Sequence, residues 1–366
     1  MRILSVYYTH KPGGFCKRLY RLLDALSARG HEVTYLCLDR PEGKLSSAVQ
    51  FQQIPFPTKV RAGVFFWLLF ILWTPAYLCF AAARLKPDRY LVFGAFYSSM
   101  VLLASRLFHR APVVLFLRSL VFKINEITEK PFVIRKISSL VDSIGILTAT
   151  KVVVMSEAMK LELLSFLGRS PKQMSILPND LPNITKANSK ARTGTLSCVA
   201  SGVADKRKNI LFLVKAFGEL DKKYPGQASL HVLGAGPELE SIKRYAAEQK
   251  IQNCQFIGWV STPEKYLEGC DLFIHAALHE GISNSVLEAL AVGRPVLLSD
   301  IAEHREILPD EMVLFSIQGT QELVSKIARI IDGQVQLSQL ASACDGLAEK
   351  LRFDWDLAGS ELVIKL

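Results

Sequence analysis

The sequence contains no CxxC pair, and its seven cysteines (Cys16, Cys37, Cys79, Cys198, Cys254, Cys270 and Cys344) are odd in number and widely scattered. That pattern excludes a disulfide framework and a cysteine-based zinc site; it fits small apolar residues in a reducing compartment. None of the seven histidines stands at metal-ligand spacing from another histidine, a cysteine or an acidic cluster, so no metal site is predicted. The chain also lacks a short internal repeat, a low-complexity tract and any nucleic-acid module with interleaved aromatic residues. The first residues, MRILSVYY, run straight into a strand pattern instead of a signal-peptide apolar region. The expectation is a cytosolic or cytosol-facing chain.

What is present is apolar and basic. Half of the 366 residues are apolar and the net charge is +10, with a mean hydropathy of +0.23. This excludes a disordered chain, allows two ordinary domains and suggests an anionic partner. The charge is divided unevenly. Residues 1–183 hold 24 basic and 11 acidic side chains, a net +13, whereas residues 184–366 hold 20 and 23, a net −3. One stretch carries no charge at all. Ala62–Ala83 runs for 22 residues between Arg61 and Arg84, long enough for a membrane-spanning helix. Three readings compete for it: a true span, a buried helix of an α/β domain, or a helix lying in the membrane interface. Continuing α/β patterning and Pro75 argue against the first. Trp67, Trp73, Tyr77 and the surrounding basic charge favour the third.

Short β-branched runs alternate with helical spacing throughout, which predicts parallel α/β sheets. In the first half, strands are expected at Ile3–Tyr7, Val33–Leu38, Arg89–Phe93, Val113–Leu117 and Val152–Met155, with helices at Phe15–Arg29, Tyr97–Phe108, Phe132–Thr148 and Glu157–Leu167. Leu177–Thr193, rich in Pro, Asn, Ser and Thr, reads as the domain boundary. Strands then follow at Leu196–Ala200, Ser229–Leu233, Cys254–Ile257, Leu272–His275, Pro295–Leu298 and Val313–Phe315, with helices at Asn209–Lys222, Glu238–Lys250, Ser285–Ala291 and Gln321–Asp332. The predicted fold is two tandem Rossmann-like domains facing across a cleft, with ligands at the carboxyl ends of the strands.

The most informative stretch is HEGISNSVLEALAVGRPVLLSD, His279–Asp300. A strand is followed by a turn at Glu280–Gly281, then a helix starts near Asn284 or Ser285. The unpaired N–H groups of such a start suit a diphosphate. Glu288, expected on the first turn, could take two hydrogen bonds from a vicinal diol, and Glu280 could reach a sugar on the diphosphate. The alternative is two solvated surface acids. In ASGVADKRKNILFLVKAF, Lys206, Arg207 and Lys208 follow a strand ending at Gly202 and precede a helix, where cations could neutralise a leaving diphosphate or merely decorate a solvated loop. The glycine-rich turn at Gly234 and the strand end at Ile257 are weaker signals for the nucleotide. Gly13–Gly14, after the first strand, suit contact with a phosphate or an acceptor, and equally a tight turn. Asp354–Trp355–Asp356 looks like a metal-binding DxD but sits where Asp caps a terminal helix. Asn183–Ile184–Thr185 is a sequon without a secretory context.

With these residues in place, the chain resembles family 4 glycosyltransferases of the GT-B fold over nearly its whole length. The resemblance rests on the opening strand–GG–helix–RGHEVTYL, on SEAMKLELL and ILPN, and above all on EGISNSVLEALAVGRPVLLSD with its Glu280-to-Glu288 spacing. It implies a retaining, metal-independent transfer from a nucleotide-diphosphate sugar, with no cofactor, and a UDP-sugar in preference to a GDP-sugar. It also implies that Glu280 contacts the donor sugar, Glu288 the ribose and Lys208 the diphosphate. Glu280, Lys208 and Arg118 are then the catalytic candidates. Gly202, Arg207, Lys208, Gly234, Ile257, Gly281, Ile282, Ser283, Asn284, Ser285 and Glu288 would line the donor site, and Gly13 and Gly14 the acceptor or phosphate loop. Residues 1–183 become the acceptor-binding domain, 194–345 the nucleotide-sugar domain, and 346–366 a last helix crossing back to the first. Two positions depart from the family pattern. Val203 replaces an Arg after the phosphate-loop glycine, leaving Lys206 or Arg207 to substitute, and Arg118 replaces a His after the strand Val113–Leu117. Arg cannot act as a base but can bind an anion. The expected acceptor is a lipid-linked glycan of cell-surface polysaccharide or glycolipid synthesis, met by a cytoplasmic enzyme peripheral on the inner face of the membrane, with no nucleic-acid partner. The rivals are a small soluble acceptor, an inactive nucleotide-sugar-binding scaffold, and a nucleic-acid binder suggested by the basic half alone.

Overall fold

In the computed structural model, residues 1–10, 14–41, 43–185 and 194–366 are described. The chain forms two compact units. The first comprises Met1–Phe122, Lys130–Pro178 and Asp354–Leu366; the second comprises Lys123–Glu129 and Asn179–Phe353. Residues 186–193 of the expected boundary segment lie outside the described residues.

The first unit is built on seven strands: β1 (Arg2–Val6), β2 (Glu32–Cys37), β3 (Gln50–Gln53), β4 (Arg89–Phe93), β5 (Val113–Phe116), β6 (Lys151–Val154) and β7 (Met174–Ile176). They pair in parallel in the order β3-β2-β1-β4-β5-β6-β7. Order reverses between β1 and β4, which opens a crevice at their carboxyl ends. β3 and β7 are short edge strands that the apolar pattern does not announce, since QFQQ has no β-branched residue. The helices are α1 (Gly14–Ala28), α2 (Val64–Leu85), α3 (Ala95–Met100), α4 (Val121–Ile127), α5 (Phe132–Thr148) and α6 (Glu157–Leu167). The single helix expected over Tyr97–Phe108 is instead α3 followed by a π-helical turn at Ala104–Phe108. Ser105 turns its hydroxyl back to the Leu102 carbonyl there (3.0 Å), a bond that competes with regular helix pairing.

α2 covers the charge-free stretch with a shift of two residues and passes through Pro75 unbroken. By length and composition it could cross a membrane, a test that core helices also pass. It is sided. Phe66, Phe70, Thr74 and Leu78 recur every four residues and are buried, while Val64, Phe65, Leu68 and Leu72 are exposed. The buried stripe joins an aromatic cluster with Tyr8, Phe56 and Phe96. α5 is sided in the opposite sense to an ordinary core helix. Its Phe132, Val133, Ile134, Ile137 and Leu140 are exposed, and its buried residues are Asp142, Gly145 and Ile146. Close approach to α3 explains the glycine, because a Cβ at Gly145 would lie 2.1 Å from the Ala95 carbonyl oxygen. Ser98 locks the contact by donating to the Gly145 carbonyl at 2.7 Å.

In the second unit β8 (Leu196–Ser201), β9 (Ala228–Leu233), β10 (Cys254–Gly258), β11 (Leu272–His275), β12 (Val296–Ser299) and β13 (Leu314–Phe315) form a parallel sheet in the order β10-β9-β8-β11-β12-β13. Its crevice falls between β8 and β11. Around it lie α7 (Ile210–Lys223), α8 (Leu239–Glu248), α9 (Glu264–Gly269), α10 (Asn284–Val292), α11 (Ala302–Ile307), α12 (Gln321–Ile331) and α13 (Leu337–Ala348).

The last helix, α14 (Trp355–Ile364), belongs to the first unit, where it packs on α1. Trp355 is fully buried, with the guanidinium groups of Arg18 and Arg21 5.1 and 5.5 Å from its ring centre. Asp354 caps the helix by accepting from the Leu357 N–H (2.8 Å), and Asp356 pairs with Arg21 (2.9 Å). Both acids of the DxD are thus occupied in holding the helix. Replacing Trp355 with Ala is expected to cost the first unit about 3–5 kcal/mol. Calorimetry would show this as a lower-melting transition, and an unchanged melting curve would contradict the packing described.

Candidate active site

The second unit assembles most of the expected donor-site residues at the carboxyl ends of β8 and β11, where its strand order reverses. After β8 the chain makes a close turn at Gly202. It approaches the turn after β9 so tightly that a Cβ at Gly234 would sit 1.9 Å from the Gly202 carbonyl oxygen. The basic loop is a 3₁₀ turn, Lys206–Lys208, capped by Asp205, which accepts from the Lys208 N–H at 3.0 Å. Asn209 then adopts a left-handed conformation before α7. The Arg207 carbonyl accepts from the Leu278 N–H (2.8 Å), tying this turn to the loop that follows β11.

Two cations and a histidine converge on one carboxylate there. Glu280 is buried and forms an ion pair with Lys208, whose stem runs past Gly202. Arg207 Nη1 lies 3.7 Å from Glu280 Oε2, and its Nη2 lies 3.6 Å from Asp205. His275, the last residue of β11, places Nε2 3.3 Å from Glu280 Oε1. Burial alone would raise the Glu280 carboxyl; the Lys208 ammonium, His275 and Arg207 overcome it and hold the acid well below the usual range. Burial, followed by the neighbouring Lys208 charge, lowers His275. Behind it, burial and then His275 bring His304 down to about 4. Nδ1 of His304 is therefore a neutral donor to the Ser299 carbonyl (2.8 Å). The surface-acid alternative for Glu280 is excluded by these contacts.

The loop Gly281–Ser283 is buried and leads directly into α10. Asn179 donates to the Ile282 carbonyl (3.0 Å) and to Asn284 Oδ1 (3.1 Å), while Ser285 donates to the Ser201 carbonyl (3.2 Å). These bonds pin the helix start beside the end of β8. Ser283 occupies the N-cap, but its hydroxyl bonds the Ser285 hydroxyl (3.0 Å) and accepts from no backbone N–H, which leaves the first-turn N–H groups to another acceptor. One expectation needs correction. Because α10 begins at Asn284, Glu288 is its fifth residue and stands on the second turn, not the first. It is half-buried.

The position of the missing Arg is informative. Val203 is 51 % exposed. Of the two proposed substitutes, Lys206 is turned aside to Glu129 (2.6 Å), whereas Arg207 remains beside Glu280. Ile257 is the penultimate residue of β10, and Trp259 just past the strand is 64 % exposed. Pattern reading overlooked Trp259 and His275. An aromatic ring just past a strand end was the available signal for the first, and a polar last residue in an apolar strand for the second.

Arg118 and Gly14 belong to the first unit; Gly13 lies outside the described residues. Arg118 lines a cavity of about 150 Å³ at the carboxyl ends of β1, β4 and β5, together with Tyr7, Phe15, Phe93, Tyr97 and Asp142. Burial raises both tyrosine hydroxyls, so they stay neutral. Burial also pushes the Asp142 carboxyl up to about 7. Sequence reading did not select Asp142.

The family profile described as Glycosyltransferase Family 4 matches residues 12–179, and that described as Glycosyl transferases group 1 matches residues 194–333. The O-antigen biosynthesis glycosyltransferase WbnH of Escherichia coli is 29 % identical over 179 residues, 49 % of each protein. A Campylobacter jejuni protein named N-acetylgalactosamine-N,N'-diacetylbacillosaminyl-diphospho-undecaprenol 4-alpha-N-acetylgalactosaminyltransferase is 33 % identical over 138 residues, 36 % of each. The chain therefore spans half or less of these relatives' length. Among solved structures, Anabaena Alr3699/HepE in complex with UDP superposes with a TM-score of 0.75 at 16 % identity, covering 100 % of this chain and 99 % of that one. At that identity the likeness establishes the fold, two parallel-sheet α/β domains of GT-B type.

Two outcomes follow from the charges. Lys208→Met leaves the Glu280 carboxylate buried without its main partner and should destabilise the second unit by about 3–5 kcal/mol. The double variant with Glu280→Gln should recover part of that loss, as a double-mutant cycle by denaturant unfolding would reveal. Additive losses would contradict the pairing. For Asp142 the sign is opposite to that of a paired acid. Its folded-state pKa is raised to about 7, so the folded state binds the extra proton, and stability falls as pH rises from about 4, the unfolded value, to 7. Asp142→Asn should remove that decline, and a decline that persists in the variant would refute it.

Proposed function

Because the chain belongs to the family 4 glycosyltransferases, we propose that it transfers a sugar from a nucleotide-diphosphate donor to an acceptor hydroxyl. The single observation that carries this reading is the convergence of Lys208, Arg207 and the α10 start around the buried Glu280 at one strand-order reversal. Breaking a sugar–diphosphate bond places negative charge on the departing phosphates. Lys208, Arg207 and the first-turn N–H groups of α10 supply fixed positive charge where that anion forms. Glu280 orients the sugar and Glu288 takes the ribose hydroxyls. The chain's own cations neutralise the leaving group, and the reaction proceeds with retention by front-face attack. UDP is the preferred carrier, a choice supported by a neighbour of the same fold that holds UDP. The exposed Trp259 beside Ile257 offers a ring on which a base can stack.

The acceptor is a lipid-linked glycan taken at an anionic membrane surface. The name of the Campylobacter relative specifies a diphospho-undecaprenol acceptor, and the outward apolar faces of α2 and α5 suit insertion to headgroup depth. Residues 1–183, with a net charge of +13, favour anionic lipid. The protein is then peripheral on the cytoplasmic face of the membrane, with the second unit holding the donor and the first the acceptor.

UDP should raise the melting temperature of the purified chain in proportion to the logarithm of its concentration over Kd. On a donor panel with lipid-extract acceptors, Glu280→Gln should lower turnover about 10²-fold. Full turnover in that variant would sink the assignment. Co-sedimentation with anionic vesicles should drop when Phe65, Leu68 and Leu72 are changed to Gln together. Equal binding by that variant would remove α2 from the membrane contact.

A further inference from the structure

Glu280 uses its two oxygens unequally. Lys208 and His275 Nε2, the latter at 3.3 Å, both reach Oε1. Oε2 has only Arg207 Nη1 at 3.7 Å, too long for a hydrogen bond. Among the described residues nothing hydrogen-bonds Oε2, although Glu280 is buried. A carboxylate can exchange its oxygens by turning about its last side-chain bond, and that torsion is broad. Which oxygen stays open is therefore decided by the group that holds the other. The Lys208 ammonium has three rotatable donors and can follow either oxygen. His275 offers one N–H to the carboxylate from a fixed place at the end of β11. It sets the choice, provided that its own ring is held.

A second histidine holds it. His304, on α11, is fully buried, and its ring centre lies 5.4 Å from that of His275 at an interplanar angle of 62°. Phe273, two residues back on the same face of β11, adds a stacked ring at 6.2 Å. His304 is anchored in turn, because Nδ1 donates to the Ser299 carbonyl at 2.8 Å. Ser299 Oγ donates to the Ala277 carbonyl at 2.7 Å, in the loop that leads to Glu280. Glu303, next to His304, pairs with His279 Nδ1 at 2.7 Å. The corner between β12 and α11 thus grips residues 275–280 at three points.

This use of a histidine has a cost. With Nδ1 protonated, Nε2 keeps a lone pair that finds no hydrogen-bond partner among the described residues, which is unfavourable in a buried position. A phenyl ring would avoid that cost but would have no bond to fix its rotation. An imidazole supplies both the ring and the anchor. We propose that His304 is a positioning residue for Glu280: its anchored ring fixes that of His275, whose Nε2–H occupies Oε1 and leaves Oε2 to a hydroxyl of the donor sugar. That Oε2 takes a sugar hydroxyl rests on the transferase reading; that His304 orients His275 does not.

The test uses the full chain with ¹⁵N-labelled histidine. Long-range ¹H–¹⁵N NMR reads which nitrogen of each ring is protonated, while UDP, UDP-glucose, UDP-galactose and UDP-N-acetylglucosamine are titrated by calorimetry. In the native chain His275, identified by the loss of its signals in His275→Gln, should be protonated at Nε2 alone and His304 at Nδ1 alone. His304→Asn keeps a donor for the Ser299 carbonyl but has no ring to set against His275. In that variant His275 should show averaged tautomers. Affinity for the tightest UDP-sugar should fall about fivefold or more, as for the loss of one hydrogen bond, while that for UDP changes less than about twofold. A merely structural residue would move all four ligands or none. The proposal is overturned if His275 shows mixed tautomers in the native chain, or if His304→Asn keeps either the single tautomer or the native UDP-sugar affinity. Loss of folding in both His304→Asn and His304→Gln also overturns it, since the ring would then serve the fold alone. Failure of the native chain to bind any of the four ligands, with the tautomers as expected, would sink the donor reading and keep the hold of His304 on His275. Binding of all four that His304→Asn leaves unchanged would do the reverse.

Discussion

The ion pair between Lys208 and Glu280 is the constraint from which the second unit's chemistry follows. Two opposite charges are taken out of water at the end of a parallel sheet, and neither is tolerable there alone. Their mutual requirement fixes the 3₁₀ turn after β8 against the loop after β11, with Arg207 and His275 completing the shell. The arrangement does more than hold two loops together. A site whose cations are already oriented pays little reorganisation when a diphosphate becomes more negative. In the function proposed above, the carboxylate that neutralises Lys208 is also the one a donor-sugar hydroxyl would share.

The first unit solves a different problem with the same sheet topology. Its crevice carries a buried acid, and α2 and α5 turn large apolar side chains outward. On α5 the two features are one fact, because a helix that exposes Phe132, Ile137 and Leu140 must bury the opposite face, and that face contains Asp142. Such a surface is unfavourable in water and becomes favourable against lipid.

Much of this was legible in the sequence, for identifiable reasons. The strands that fill the sheet centres are β-branched and bounded by turns, so β4, β5, β8 and β11 were found almost to the residue. Glu280 stood out because a strand, a Glu–Gly turn and a helix follow one another closely in His279–Asp300. Edge strand β3 was missed because Gln50–Gln53 lacks alternation, and Glu288 was placed on the first turn, although the helix start near Asn284 was read correctly, because the fifth residue falls just beyond a turn of 3.6 residues. Asp142 was invisible for a deeper reason. Periodicity locates the apolar stripe of a helix but not which side of it faces the core, and on α5 the stripe faces out. His275 was hidden likewise, as one polar residue closing a strand that otherwise reads as core.

The central claim is electrostatic, and the charge state of Glu280 tests it most directly. With glutamate carboxyl carbons labelled by ¹³C, and the Glu280 signal identified by its absence in Glu280→Gln, the chemical shift can be followed by NMR from pH 3 to pH 8. The account predicts a carboxylate that stays ionised well below the value of about 4.3 typical of a free glutamate, and that rises when Lys208 is changed to Met. Titration at or above the free value in the native chain, unaltered by Lys208→Met, would contradict it.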